Sequence, residues 1–161
     1  MGLQSRAPFQ ISSYPLRHQQ GYVLCLVEFL KNCSLILNKE FKLIDIEGES
    51  INLNSIKGSE ATLVVFSCNT CPWVIKWEDR YLEIAKNYTP KGVSMIAVNS
   101  NVSRFDGDDS LGKMKEHASK MNYNFIYAQD PNAELAHAFG ATKTPHIYLF
   151  DKIITRKYDI F

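Results

Sequence analysis

The chain has 161 residues, 45% of them hydrophobic, with 18 Lys and Arg against 17 Asp and Glu, a length that suits one domain able to bury a core without disulfide support. A formal net charge of +1 excludes the strongly basic surface expected of a nucleic-acid-binding protein or of one held electrostatically to an anionic membrane. The four cysteines, Cys25, Cys33, Cys68 and Cys71, are too sparse for a disulfide-rich secreted scaffold and point to catalysis or metal binding.

Residues 1–39 form an atypical N-terminal segment. No acidic residue occurs from Met1 to Val27, and the apolar run Tyr22 to Leu30 is interrupted by Glu28. A spanning helix needs ~20 apolar residues and a secretory leader needs small residues at a cleavage site, and the run has neither. A disordered tail or irregular helix is the favoured reading, with a leader as the alternative. The compartment stays open, cytoplasm being favoured and export or an organelle the alternatives.

Residues 40–161 read as one α/β domain. Phe41 and Leu43, then Ile51 and Leu53, alternate with polar neighbours around Glu47-Gly48-Glu49, which predicts an N-terminal hairpin. Ala61 to Phe66 is continuous and β-branched, as in a strand buried on both faces. Pro72 marks a first helical turn, where a missing N–H costs nothing. Val74, Trp77, Tyr81, Ile84, Ala85 and Tyr88 follow at helical spacing, with Glu78 among the residues of the polar faces. Val93 to Val98 is a second buried strand, parallel to the first. Beyond a polar, Asp-rich stretch at residues 104–109, the pattern predicts a helix over 110–121, a short strand at 125–128 and a helix over 131–139 closed by Gly140. A strand at 147–150 comes next, with 153–161 as its antiparallel partner.

The chemistry concentrates where the first buried strand meets its helix. Cys68 and Cys71 stand three residues apart at that junction. Unpaired N–H groups and aligned peptide dipoles at a helix start favour a thiolate, the nucleophilic form of cysteine. With Pro72 at the first helical position, Cys71 falls near the N-cap and Cys68 one loop earlier. Cys71 is therefore the favoured nucleophile and Cys68 its partner.

Three stretches, FSCNTCPWV at Phe66 to Val74, GVSMIAVNSN at Gly92 to Asn101 and TKTPHIYLFD at Thr142 to Asp151, make the chain from about Glu40 to Phe150 resemble the thioredoxin-like superfamily. The likeness is greatest to its peroxiredoxin-like branch, the AhpC/TSA or redoxin domains. The resemblance implies a three-layer α/β fold with a central mixed sheet and a thiol-disulfide oxidoreductase activity. It implies no cofactor, and a protein disulfide, a thiol reductant or a peroxide as partner. Thr144-Pro145 matches the superfamily's cis-proline, whose surroundings present backbone groups to an incoming peptide. Counted from Phe66, Cys71 occupies the place of the first thioredoxin cysteine. The peroxidatic pattern Pro-x-x-x-Thr/Ser-x-x-Cys is not matched, since Val64 and Cys68 take the places of its Pro and hydroxyl. The closing C-terminal helix of such folds is missing after Phe150, so the domain reads as truncated and open to self-association.

Other candidates are weighed on their residue types. Thr70 beside Cys71 is placed to hydrogen-bond a thiolate, and Trp73 to cap the thiols or cover the sheet. Asn99, with Ser100 and Asn101, falls at the sheet edge that carries the cysteines and would shape a substrate cleft or form a turn. The alternative functions are a peroxide-reducing antioxidant protein, a copper or zinc delivery protein using the two cysteines with His146, and a non-catalytic domain.

Overall fold

In the computed structural model the described residues are 40–151 and 157–160; the readings for residues 1–39, Cys25 and Cys33 included, lie outside them. Strands β1 (Leu43–Asp45) and β2 (Ser50–Ile51) form the anticipated hairpin, pairing Leu43 with Ile51. The Asp45 carboxylate closes its turn by accepting the N–H groups of Glu47 and Glu49, each at 2.9 Å. Gly48 sits there at φ +89°, a conformation a Cβ would strain.

Strand β3 (Ala61–Phe66) leads into helix α1 (Pro72–Tyr88), which returns to β4 (Val93–Asn99). Helix α2 (Leu111–Met121), β5 (Ile126–Gln129), helix α3 (Glu134–Phe139), β6 (His146–Asp151) and β7 (Lys157–Ile160) follow. Among the described residues the sheet has seven strands in the order β2-β1-β5-β4-β3-β6-β7. It is mixed: β3, β4 and β5 run parallel, and β1, β2, β6 and β7 pair antiparallel to their neighbours. The expected α/β architecture with a central mixed sheet is thus observed, and β7 supplies the antiparallel partner expected of the last residues. Among the described residues no helix follows β6.

Side chains alternate across this sheet, so each buried strand feeds two cores. Val64 and Phe66 join Ile96, Val98, Tyr148 and Phe150 under α3. Leu63, Val65 and Met95 face Tyr81 and Ala85 of α1, and Ala97 and Tyr127 meet Met114 and Ala118 of α2. The helices therefore fall on both faces, α1 and α2 together and α3 opposite.

One helical position departs from its pattern. Glu78, assigned to a polar face of α1, is 1% exposed. The reason is the neighbouring helix: α2 and the turn after it bring His117 and Tyr123 onto the Glu78 carboxylate, and a carboxylate that finds such partners tolerates burial. Trp77, read as core, is half-buried and carries the Arg80 guanidinium 4.5 Å from its ring.

The register decides where the chemistry sits. Phe66, the last residue of β3, pairs with Val98 near the end of β4 and with His146 at the start of β6. The segment before β6, with Thr144 and Pro145, is thereby placed beside the loop that leaves β3. Those two segments lie 76 residues apart in the chain.

Candidate active site

The Ser67 N–H donates to Val98 O at 2.8 Å, so the backbone stays tied to β4 for one residue beyond β3. The chain then leaves the sheet and enters α1 with Cys71 as N-cap, in extended backbone, and Pro72 in the first turn. Cys71 O accepts the Ile75 N–H at 3.0 Å, the first bond of the helix. Pro72 costs nothing at that position because its missing N–H would have had no partner within the helix. Cys68 is buried at 6% exposure and Cys71 is half-buried, and both are free thiols.

The neutral Cys71 thiol donates to Thr144 O at 3.2 Å. Burial alone would raise its pKa, yet the thiol titrates below the ordinary cysteine value. Against burial stand the N–H of Val74, the Thr144 side chain, the N–H of Trp73 and the Cys68 thiol, all of which favour the anion. This is the behaviour of a thiol at a helix start. Cys68 Sγ lies 3.5 Å from Thr144 Oγ1, so Thr144 touches both sulfurs, one with its carbonyl and one with its hydroxyl. The Thr144–Pro145 bond is cis.

The cysteine loop is fastened through Asn69. Its N–H donates to Asp109 Oδ1 at 2.9 Å, its amide NH2 to Asp108 O at 2.6 Å, and its amide oxygen accepts the Tyr127 hydroxyl at 3.0 Å. The Asp109 carboxylate is fully buried and also accepts Asn101 Nδ2 at 3.1 Å, while its carbonyl accepts Gln129 Nε2 at 2.7 Å. The polar stretch at 104–109 is therefore the brace of the site, joining the cysteine loop to the ends of β4 and β5. Sequence reasoning missed Asp109 and Asn69. The available signal was an acidic cluster following the strand that ends at the cysteine edge.

The residues proposed from sequence divide into those the fold brings together and those it does not. Cys68, Cys71, Thr144 and Pro145 converge. Thr70 is exposed, and the hydroxyl near the sulfurs is that of Thr144. Trp73 is 64% exposed with Lys76 Nζ 5.5 Å from its ring, and the residue reaches Cys71 through its backbone N–H. Asn99, read as shaping a cleft or forming a turn, is fully buried, and its Oδ1 accepts the Asn101 N–H at 3.0 Å, the turn-forming bond of an Asx residue. The cleft is lined by its neighbours Ser100 and Asn101, because the last residue of a paired strand points into the core and the residues after it turn outward. His146 is 5% exposed, with Nδ1 3.4 Å from the Thr142 N–H and 3.0 Å from the Tyr148 hydroxyl. Among the described residues no three His, Cys, Asp or Glu side chains are grouped to hold a metal ion.

Beneath α1 the buried polar groups form a second cluster. Glu78 Oε1 accepts the Tyr123 hydroxyl at 2.6 Å and meets His117 Nε2. Burial, followed by the Glu78 charge, pushes the phenols of Tyr81 and Tyr123 far above their usual range, and burial does the same to Tyr127. All three stay protonated at any physiological pH; Tyr123 donates to Glu78 and Tyr127 to Asn69, while the buried Tyr81 hydroxyl meets no hydrogen-bond partner among the described residues.

Beside Cys68 a cleft of about 390 Å3 opens on the α3 side, lined by Phe66, Ala136, Asn101 and residues 141–144 among others.

Comparisons with known proteins agree with this geometry. Residues 38–157 match the model of the AhpC/TSA family. Among solved structures, the chain is similar to an uncharacterized conserved protein from Geobacillus kaustophilus, with 35% identity and a TM-score of 0.70 over 75% of this chain and 65% of that one. It is similar to a hypothetical protein from Sinorhizobium meliloti at 30% identity and a TM-score of 0.68, over 75% and 66% of the two chains. The chain thus spans just under two thirds of the length of these two relatives. A secreted Mycobacterium tuberculosis disulfide oxidoreductase shares the fold, at 14% identity and a TM-score of 0.64 over 78% and 84% of the chains. No curated protein sequence matches.

Proposed function

The chain belongs to the AhpC/TSA family and has a thioredoxin-like fold, and we propose that it is a thiol-disulfide oxidoreductase in which Cys71 attacks and Cys68 resolves. The observation that carries this reading is the position of Cys71 at the N-cap of α1, half-exposed, its thiolate favoured by two backbone N–H groups and with a second thiol beside it. The Cys71 thiolate attacks one sulfur of a substrate disulfide, forms a mixed disulfide and expels the other substrate thiolate. Cys68 then loses its proton to that thiolate or to water and attacks Cys71. The Cys68–Cys71 bond forms and the substrate leaves as a dithiol.

Two features set this site apart from a usual dithiol helix. The resolving thiol comes from the loop before the helix, and the residue three places after Cys71, Val74, is fully buried and apolar. Resolution therefore depends on how the loop is held, which is the task of Asn69 and Asp109. Thr144, whose carbonyl already reaches Cys71, is placed to offer its backbone to an extended segment of a protein substrate.

Insulin reduction driven by dithiothreitol tests the reading. Wild-type protein should accelerate precipitation, Cys71→Ser should abolish the effect, and Cys68→Ser should accumulate the mixed disulfide. No acceleration by wild type, or full activity of Cys71→Ser, refutes the mechanism. Hydrogen peroxide consumption measured beside it decides whether peroxide is also a substrate.

A further inference from the structure

Thr144 is where the two sulfurs and an incoming chain meet. It stands two residues ahead of His146, the first residue of β6 paired with β3, so its backbone lies just outside the sheet. Among the described residues its carbonyl accepts from the Cys71 thiol at 3.2 Å and from no backbone N–H. Pro145 follows it with no N–H of its own. The Thr144 hydroxyl lies 3.5 Å from Cys68 Sγ, and the same side chain favours the Cys71 anion. One residue thus serves both protonation states of Cys71. Its carbonyl accepts from the neutral thiol, and its hydroxyl, which rotates to suit its partner, donates to the thiolate.

A hydrogen bond made by the neutral form of a group opposes its ionisation. S–H is a weak donor and a peptide N–H a stronger one, so a backbone that docks on Thr144 O takes the oxygen from the thiol or shares it. The direction is the same in both arrangements: the neutral thiol loses part of its bond, and the negative end of the carbonyl that the anion faces is already taken up. The titratable groups around Cys71 are Cys68 on the loop, Tyr81 on the same helix and, next to Thr144 in the chain, Lys143; Tyr127 on β5 feels the charge of Cys68. Both phenols stay protonated, and the strongest influences on Cys71 besides burial are hydrogen bonds.

Building on the reading that Thr144 receives an extended substrate segment, we propose that docking itself activates Cys71: a substrate N–H on Thr144 O displaces the Cys71 S–H, whose proton passes to water, and frees the thiolate to attack the disulfide that the segment carries. Linkage makes the effect reciprocal, so the factor by which peptide raises the ratio of thiolate to thiol is the factor by which ionisation tightens peptide binding. One weak hydrogen bond sets that factor at about threefold to tenfold, a fall of about 0.5–1 pH unit in the Cys71 midpoint.

The test uses a peptide of the insulin B chain with serine in place of cysteine, which docks without exchange. Its binding to reduced wild type, followed by calorimetry across the Cys71 midpoint, should tighten by about threefold to tenfold as pH rises. Cys71→Ala leaves no donor on the carbonyl and should bind at the tight limit at every pH. Cys71→Ser keeps a donor that does not ionise in this range and should bind at the weak limit at every pH; serine is a good N-cap, so its weaker binding is not a lost helix start. In Cys68→Ser, saturating peptide should lower the midpoint of Cys71 alkylation, resolved by mass, by about 0.5–1 pH unit. Adding Thr144→Val, which removes the hydroxyl and keeps the carbonyl, should raise the midpoint and preserve that shift. Equal affinities of the Ala and Ser variants, a midpoint unmoved by peptide, or no binding to any form overturns activation by docking, and insulin reduction by wild type then leaves the oxidoreductase reading standing. Absence of insulin reduction overturns that reading, and the peptide-linked shift is judged by the alkylation midpoint alone.

Discussion

Replacing Asp109 by Ala tests the claim that this residue braces the cysteine loop. The carboxylate is fully buried and accepts the Asn69 N–H at 2.9 Å and Asn101 Nδ2 at 3.1 Å. A hydrogen bond to a charged group contributes about 1.5–3 kcal/mol, so two dry donors left unpaired would cost about 3–6 kcal/mol. Both donors are only partly buried, and water reaching either one recovers part of that, which leaves about 2–4 kcal/mol. Arg104, 3.7 Å away with its side chain 44% exposed, adds nothing worth counting. In urea unfolding under reducing conditions the midpoint should fall by about 1–2 M for a slope near ~2 kcal/mol/M. Asp109→Asn keeps an acceptor for the Asn69 N–H but sets an amide NH2 against that of Asn101, and should recover about half of the loss. A loss below about 1 kcal/mol for Ala, or an Asn variant no better than Ala, would show that the loop is held by something else.

Other consequences are open to measurement. In Cys68→Ser, iodoacetamide should alkylate Cys71 with a half-maximal pH below that of a free cysteine. Because folding lowers this pKa, the ionised thiolate contributes stability above the unfolded value. The advantage of wild type over Cys71→Ser in urea should therefore widen as pH rises from the folded toward the unfolded pKa, and vanish below the folded one; a gap independent of pH sinks the assignment. Tyr123→Phe removes a 2.6 Å bond to the buried Glu78 carboxylate and should cost about 1.5–3 kcal/mol in the same titration; an unchanged midpoint would mean the carboxylate is satisfied otherwise. Ile96→Ala, at a fully buried position of β4, should cost about 2–5 kcal/mol and lower Tm by roughly 10 °C. A Tm within about 2 °C of wild type would place Ile96 outside the core.

The amino-acid sequence determined the local elements and the reactive position. β3 was legible as six consecutive apolar or β-branched residues, the start of α1 as a proline, and the N-cap place of Cys71 as the residue before that proline. Each of these is decided by groups within a few residues of one another. Thr144 and Pro145 were legible only through a resemblance, since an ordinary Thr-Pro before a strand looks the same. Glu78 was misread because helical periodicity reports one apolar face and is silent about a second helix arriving on another.

The tertiary structure alone decided which side chains meet. The register of β3 against β6 carries Thr144 across 76 residues to Cys68, and the pairing of β4 with β5 sets Asp109 beneath Asn69 across 40. Contacts of that span have no signature in local composition, because a hydrogen bond between distant segments depends on how strands align and on which groups burial leaves in need of a partner. A helix start next to a cysteine can be read from one stretch of chain. The second sulfur's surroundings, the cleft beside it and the brace below the loop exist only once the sheet has closed.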